Sequence, residues 1–275
     1  MYLGASRMSN PQRPADVEAL LLALQAEIQA ILGEQLVGLY LHGSLASGDF
    51  NPYRSDIDVI AVTEGEPGPQ TIEALKALHA SMASGDLEWA KKLEVSYIPR
   101  DAIRRFDPSN ALHPALRADG TFDFDYHGPD WMIQRHVLRE KGIALLGPDP
   151  KTLVDPVPPE DLRRGVLGVL HEWWQPMLTG PAFLAEPEYQ AYAVHTMCRA
   201  LYTLERLDVA SKPVAARWAL QALDVRFKEQ FAALVEEALA WKRGDPFDHL
   251  GETLEMIRYT LERVREGGGG FAEEA

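Results

Sequence analysis

The sequence predicts an α+β protein, with an N-terminal α/β domain built on a mixed sheet and a C-terminal all-α helical bundle. Three observations predict it. Strand-length apolar runs alternate with helical patterns in the first half of the chain. Five prolines then lie between Pro148 and Pro159, and proline continues neither a helix nor a strand ladder. Beyond them the pattern is helical almost throughout. The expected units are a first domain at 1–150, a second domain at 151–266 and a flexible tail at 267–275.

The first domain is predicted to open on a helix and then to alternate strands and helices. Apolar residues recur at helical spacing from Pro14 to Leu32, and Gly33 ends the pattern. Short apolar runs bounded by glycine and proline then predict strands. The aromatic-rich region from Phe106 to Gly128 is expected to be irregular. The remaining expected elements are strands at 36–42, 56–62, 92–98 and 143–148 and helices at 71–83 and 129–141.

The second domain is predicted to be a bundle of about five helices. Breaks in the helical pattern fall near Pro176, Gly180, Pro213 and Gly244. The four glycines that begin at Gly267 have no regular pattern after them, which is typical of a flexible tail.

Composition limits the classes of partner. The chain has 27 basic and 41 acidic residues, a formal charge of −14, which argues against nucleic acid as the main partner and suits a cationic small molecule. No apolar run approaches the roughly 18 residues of a membrane helix. The first residues lack the apolar core of a signal peptide, so we expect a cytoplasmic protein with no membrane partner. A single cysteine, Cys198, excludes an internal disulfide. The sequence sets no oligomeric state, and a monomer is favoured.

A glycine and a serine follow directly after the first predicted strand. Gly43 lets the backbone approach a phosphate, because no Cβ stands in the way, and Ser44 contributes an amide and a hydroxyl as donors. Asp56 and Asp58 lie two residues apart in the next predicted strand, so their side chains share one face. Two adjacent carboxylates repel unless a cation lies between them, and an oxygen-only pair suits Mg²⁺ together with substrate phosphates. The spacing therefore predicts a site for a nucleoside triphosphate and its metal.

Glu94 is a third acid, in the next strand-like run. It is a candidate general base that accepts the proton of an attacking hydroxyl, provided that its strand lies beside the Asp56–Asp58 strand. His42, just before the glycine, has no partner acid nearby in sequence, and a packing role is favoured for it.

These residues resemble the nucleotidyltransferase superfamily and, within it, the streptomycin/spectinomycin 3''(9)-adenylyltransferases of the aminoglycoside-resistance group. The matching segments are Gly43-Ser44, Ser55-Asp56-Ile57-Asp58 and Leu93-Glu94-Val95, with two further segments around Arg199 and Lys212. The resemblance implies transfer of AMP from ATP to a hydroxyl of an aminoglycoside-like molecule, with Mg²⁺ as cofactor and pyrophosphate as product. It implies that Asp56, Asp58 and Glu94 are metal ligands, with Glu94 also the catalytic base. The implied nucleotide contacts are Gly43, Ser44, Ser55, Arg199 and Lys212.

The acceptor site is expected early in the second domain. Members of the aminoglycoside group hold cationic substrates with an aromatic residue and acids there, and this chain offers Trp173, Trp174, Glu186 and Glu188. At least one of the two tryptophans is expected in the core. Two alternatives stay open: a nucleotidyltransferase acting on a lincosamide or another hydroxylated metabolite, and an antitoxin-like nucleotidyltransferase that binds or adenylylates a protein partner.

Overall fold

The computed structural model describes residues 14–267 and confirms the predicted α+β fold. A six-stranded mixed sheet and its flanking helices form the first half, and a group of helices forms the second. The strands are β1 (Leu36–Leu41), β2 (Ile57–Thr63), β3 (Leu93–Pro99), β4 (Leu112–Leu116), β5 (Phe122–Tyr126) and β6 (Ile143–Leu146). The helices of the first half are α1 (Ala15–Leu32), α2 (Gly43–Ser47), α3 (Pro69–Ser84), α4 (Arg100–Arg104), α5 (Asp130–Lys141) and α6 (Pro150–Leu153).

The sheet order is β5-β4-β3-β2-β1-β6. Strands β2 and β3 are parallel at its centre, whereas every other neighbouring pair is antiparallel. The parallel register pairs Ile57 with Leu93 and Asp58 with Glu94. Both central strands therefore begin at the same edge of the sheet, and the two acids lie side by side there.

Side chains that alternate along the strands divide the first half into two apolar layers. On one face, Leu39 and Val59 pack with the buried face of α1 and with α3. On the other, Tyr40 and Ile60 pack with α5 and the short helices α4 and α6. Because both faces are covered, the central strands are apolar almost throughout, and the acids enter only at the strand ends.

The second half contains five α-helices within the described residues, as the breaks in the pattern predicted. Its core includes Trp174, Phe227 and the single cysteine, Cys198, which is buried as expected. Every helix in the described part of the chain is too short or too polar to span a bilayer. The helices are α7 (Pro159–Val169), α8 (Pro187–Arg206), α9 (Lys212–Ala222), α10 (Val225–Ala240) and α11 (Leu250–Gly267).

The expectation of an irregular region from residue 106 to 128 is wrong, because β4 and β5 form a hairpin there that extends the sheet. Strand β5 lies at the edge of the sheet, and most of its residues are exposed to solvent. Aspartates therefore separate its aromatic residues, and the sequence shows no apolar run there. Strand β4 contains Pro114, which also obscured the pattern. The tail predicted from residue 267 lies, beyond Gly267 itself, outside the described residues.

Candidate active site

The site begins where the two parallel strands begin. Asp58 and Glu94 occupy paired positions on β2 and β3, so their Cα atoms are about 4.8 Å apart, the ordinary spacing between strands. Asp56 precedes β2 by one residue. The structure thus brings the three predicted acids to one edge of the sheet, and the condition set for Glu94, a strand beside that of Asp56 and Asp58, is met.

Gly43 lies against one of these acids. Its φ is +61°, and a Cβ at this position would lie 2.0 Å from Asp58 Oδ2. Only glycine fits this turn without moving the carboxylate. Helix α2 starts at Gly43, and the Ser44 hydroxyl is buried without a hydrogen-bond partner among the described residues. An unsatisfied buried hydroxyl is costly unless a ligand engages it, and the predicted contact of Ser44 with the nucleotide stays a prediction.

A cleft of about 480 Å³ separates the acids from the helical half of the chain. One wall comes from the strand ends and the turn after β1, and the opposite wall comes from α8 and the start of α9. Its polar lining includes His42, Gly43, Ser44, Arg54, Ser55, Asp56, Asp58, Glu94, Gln134, Glu188, Tyr189, Tyr192, His195, Arg199, Ser211 and Lys212.

Positive charge gathers on the wall opposite the acids. Arg199 comes from α8, and Lys212 is the first residue of α9. The Lys212 side chain is open to the water of the cleft, and its Nζ lies 5.1 Å from the centre of the Tyr192 ring. Desolvation by the surrounding protein lowers the pKa of Lys212, and repulsion from Arg199 lowers it further. The negative charges of Asp58 and Asp56 oppose that change. A dense cluster of cations that repel one another is suited to an anionic ligand such as a triphosphate.

The environment of Glu94 matches the needs of a base. Burial, followed by repulsion from Asp58 and Asp56, raises the pKa of Glu94 from 4.5 to about 7. A carboxylate with a pKa near neutrality accepts a proton more readily than an ordinary glutamate and is still deprotonated at physiological pH in part of the molecules. These properties are those that a general base needs, and the role of Glu94 as the base stays a prediction.

Asp56 has a cationic partner that the sequence did not indicate. Arg243, in the loop after α10, places Nη2 3.2 Å from Asp56 Oδ1. Burial raises the pKa of Asp56 even though Arg243 opposes the rise. The same guanidinium also pairs with Glu188, at 2.7 Å.

The donor chemistry fits Mg²⁺ bound jointly by protein and nucleotide. Asp56 and Asp58 offer carboxylate oxygens on one side of the cleft, and the missing Cβ of Gly43 lets the Asp58 carboxylate lie against the turn after β1. Within residues 14–267, no three histidine, cysteine or acidic side chains are grouped so as to hold a metal by themselves. Mg²⁺ commonly takes one or two carboxylates and completes its coordination with substrate phosphates and water. The role of Glu94 as a third ligand stays a prediction.

The predicted acceptor residues fall into different places. Glu188 lines the cleft, and Trp173 is 45% exposed and donates from Nε1 to the Tyr189 hydroxyl at 2.7 Å. Trp174 is 1% exposed and packs in the helical core, so its predicted contact with substrate is corrected to a packing role. Glu186 is exposed at the start of α8 and is not part of the cleft lining.

Several residues that line the cleft, and one that pairs with two of its acids, were missed from sequence. Arg54 directly precedes Ser55 and Asp56, so its position next to the motif was an available signal. Tyr192 and Ser211 lie close to Arg199 and Lys212 in sequence but carry no pattern of their own. Arg243 gave no signal, because nothing in the chain links it to an acid 187 residues away.

Both halves of the chain match families of known proteins. The nucleotidyltransferase domain matches residues 26–118, and the C-terminal domain of aminoglycoside adenylyltransferase matches residues 152–266. An aminoglycoside (3'') (9) adenylyltransferase of Escherichia coli is 27% identical over 260 residues, 91% of this chain and 94% of the relative. A spectinomycin 9-adenylyltransferase of Staphylococcus aureus is 26% identical over 206 residues, 71% of this chain and 75% of the relative.

A solved structure has a similar fold. The spectinomycin adenyltransferase from Enterococcus faecialis, crystallised with ATP and spectinomycin, superposes with a TM-score of 0.71 at 16% identity, covering 90% of this chain and 99% of that one. The two matched regions make the chain similar to the aminoglycoside 3''(9)-adenylyltransferases of the nucleotidyltransferase superfamily. The chain is an enzyme of the adenylyltransferase type.

The pKa of Glu94 predicts a stability effect of Glu94→Gln. In the absence of metal, the native state keeps the Glu94 proton up to about pH 7, whereas the unfolded chain releases it near its ordinary value of 4.5. Between these values the native state binds more protons, so this group makes the wild type less stable as pH rises. We expect Glu94→Gln to be more stable than wild type by about 1–3 kcal/mol at pH 8 and to lose most of this advantage at pH 4.5.

Denaturant unfolding with a chelator at the two pH values measures this difference. Glu88→Gln, at an exposed position just before β3, is the matched control and should show little change at either pH. An advantage of Glu94→Gln that is equal at both pH values would contradict the assigned pKa.

Proposed function

We propose that this enzyme transfers AMP from ATP, with Mg²⁺, to a hydroxyl group of a cationic, aminoglycoside-like small molecule and releases pyrophosphate. The observation that carries the proposal is the pairing of Glu94 with Asp58 at one wall of a cleft whose other wall carries Arg199 and Lys212. The same cleft is then lined by a base, by two acids that can hold a metal and by cations that can bind phosphates.

The reaction follows from these positions. Glu94 accepts the proton of the acceptor hydroxyl as its oxygen attacks the α-phosphorus of ATP. The bond from the α-phosphorus to the oxygen that bridges the α- and β-phosphates breaks, and pyrophosphate leaves with its electron pair. Arg199 and Lys212 offset the charge of the leaving group. Positioning of this kind contributes roughly 7–11 kcal/mol toward lowering a barrier.

The nucleotide contacts are proposed at the turn after β1 and at the loop before β2. The free hydroxyl of Ser44 and the backbone of Gly43, which carries no Cβ, suit a phosphate. Ser55 Oγ accepts from the Asn51 amide at 3.0 Å, which leaves its own hydroxyl hydrogen free to donate. When bound to Asp56 and Asp58, Mg²⁺ would supply charge neutralisation at the phosphates.

The acceptor is proposed to enter past the start of α8. Trp173, Phe183, Tyr189 and Tyr192 form a chain of ring contacts with centroids 5.6 Å apart. Exposed aromatic faces bind cations, and Glu188 adds a carboxylate at the cleft. Relatives of this chain are named for aminoglycosides and spectinomycin, which supports an acceptor of that class.

The predicted division of the chain fits this reaction. We assign residues 1–150 to a domain that holds the acids and residues 151–266 to a domain that closes over the nucleotide. The family matches at residues 26–118 and 152–266 support the boundary.

The decisive experiment measures pyrophosphate release from ATP and Mg²⁺ with a panel of aminoglycosides, spectinomycin and a lincosamide, followed by mass spectrometry of each acceptor. We expect one acceptor or more to gain the mass of one AMP group, and only when Mg²⁺ is present. A lincosamide as the sole substrate would move the enzyme to the alternative acceptor class. Absence of turnover with every compound, combined with adenylylation of a co-purified protein, would overturn the small-molecule assignment.

A further inference from the structure

One arginine joins a proposed metal ligand to a proposed acceptor residue. Arg243 Nη2 lies 3.2 Å from Asp56 Oδ1 and 3.3 Å from Asp56 Oδ2. The same nitrogen lies 2.7 Å from Glu188 Oε1, and Arg243 Nε donates to that oxygen at 2.9 Å. The Nη2 amino group of Arg243 therefore contacts both carboxylates, and Nε donates to Glu188 alone.

Backbone contacts position the Arg243 guanidinium beside Asp56. The Arg243 amide donates to the Tyr53 carbonyl at 3.1 Å, and Arg54 Nη1 donates to the Leu239 carbonyl at 2.9 Å. Lys242 Nζ also lies 5.1 Å from the centre of the Tyr53 ring. These three contacts hold the end of α10 and the loop after it against the loop that carries Asp56, a clasp between the two segments. The backbone therefore fixes Arg243 next to Asp56.

The site needs a cation at Asp56 even without a metal. Asp56 and Asp58 are two residues apart in one extended segment, and Glu94 adds a third acid beside them. Like charges at such spacing repel by several kcal/mol at an effective dielectric of about 20. Arg243 supplies a positive charge that relieves this repulsion in the nucleotide-free enzyme.

The same contacts let the arginine leave Asp56 at small cost. If Asp56 turns to a metal, Arg243 still has Glu188, which accepts from both Nε and Nη2. The clasp between the loops does not depend on the Asp56 contact, because it uses backbone groups and Arg54. Exchange at Asp56 therefore needs no rearrangement of the fold.

We propose that Arg243 is the resident counter-ion of Asp56 and competes with Mg²⁺ for that carboxylate. The proposal rests on the proposed function, because it takes Asp56 as a metal ligand. Arg243 is a positioning residue, since it acts through Asp56 and Glu188. Its presence stabilises the metal-free enzyme and raises the concentration of Mg²⁺ that nucleotide binding requires.

The test titrates Mg²⁺ into full-length enzyme with a non-hydrolysable ATP analogue, and binding is followed by calorimetry without any acceptor. We expect Arg243→Gln to reach half-saturation at an Mg²⁺ concentration about two- to fivefold lower than wild type, the size expected of one partly exposed ion pair. Arg243→Lys keeps the charge and should stay near wild type. In chelator, Arg243→Gln should also unfold at a lower temperature than wild type, and saturating Mg²⁺ with the analogue should remove most of that difference.

The matched control is Arg258→Gln, which removes the exposed ion pair with Glu255 on α11 and should leave the Mg²⁺ requirement unchanged. An unchanged or higher Mg²⁺ requirement in Arg243→Gln would overturn the competition, because the arginine would then be purely structural or would assist nucleotide binding. A wild-type enzyme that binds the analogue equally well with and without Mg²⁺ would overturn the metal dependence in the proposed function and this inference with it. The two failures are therefore distinguishable by the wild-type titration alone.

Discussion

Replacing Glu94 by Gln should remove turnover and leave ATP binding close to normal. Glutamine keeps the shape and the hydrogen-bonding reach of the side chain but cannot accept a proton from the acceptor hydroxyl. General bases contribute about 10²–10⁴-fold to rate, so we expect kcat to fall by that factor. The measurement is pyrophosphate release with the acceptor found in the panel, paired with calorimetry of a non-hydrolysable ATP analogue.

The two proposed roles of Glu94 separate in this variant. If Glu94 acts as a base alone, the Mg²⁺ concentration for half-maximal analogue binding stays within a few-fold of wild type. If Glu94 is also a metal ligand, that concentration rises together with the loss of kcat. Glu88→Gln, outside the cleft, should behave as wild type in both assays. Retention of most of the wild-type rate by Glu94→Gln would remove Glu94 from the chemistry.

The pairing of the acids was predictable because it is a local property of strands. Asp56 and Asp58 share a face by the period of two, and a third apolar run carrying Glu94 was visible nearby. That the strands are parallel neighbours, with Asp58 opposite Glu94, is a tertiary fact. The resemblance to a family made it expected, whereas spacing alone left it conditional.

The choice between the two tryptophans was not predictable from spacing. Adjacent helical residues point about 100° apart, so the two indole rings leave the helix in different directions. Which one faces the core depends on a π-helical turn at Leu170–Trp174, where an extra residue per turn rotates the side chains that follow. Trp174 faces the core and Trp173 the surface.

No local sequence pattern predicts the contact of Arg243 with Asp56, because the two residues are 187 positions apart. It joins a loop of the helical half to the edge of the sheet, and its existence depends on how the two halves meet. The edge hairpin of β4 and β5 escaped prediction for a related reason, because strand pairing rather than an apolar run defines it. Both features that the sequence did not predict, the Arg243–Asp56 contact and the edge hairpin, depend on tertiary contacts rather than on a local pattern.

Gly43→Ala should disable the site while leaving the fold largely intact. A Cβ would lie 2.0 Å from Asp58 Oδ2 and 2.8 Å from its Cγ, so the Asp58 carboxylate must swing away. The positive φ of +61° adds strain of about 1–2 kcal/mol for a residue with a Cβ. Since Asp58 is proposed to hold Mg²⁺, we expect kcat/KM for ATP to fall by about 100-fold, a loss of the size seen when metal-site geometry is disturbed.

Gly48→Ala distinguishes the loss of the carboxylate position from simple backbone strain. Gly48 also has a positive φ, +76°, but nothing lies within 4 Å of the position its Cβ would take. Gly43→Ala should lose at least as much thermal stability as Gly48→Ala, because it adds the clash with Asp58 to the strain that both variants carry, and only Gly43→Ala should lose Mg²⁺-dependent binding of the ATP analogue. Equal losses of binding in both variants would mean that strain in the turn, and not the position of Asp58, governs the nucleotide site. The comparison isolates the position of Asp58, because both variants place a Cβ on a residue with positive φ but only Gly43 lies against Asp58.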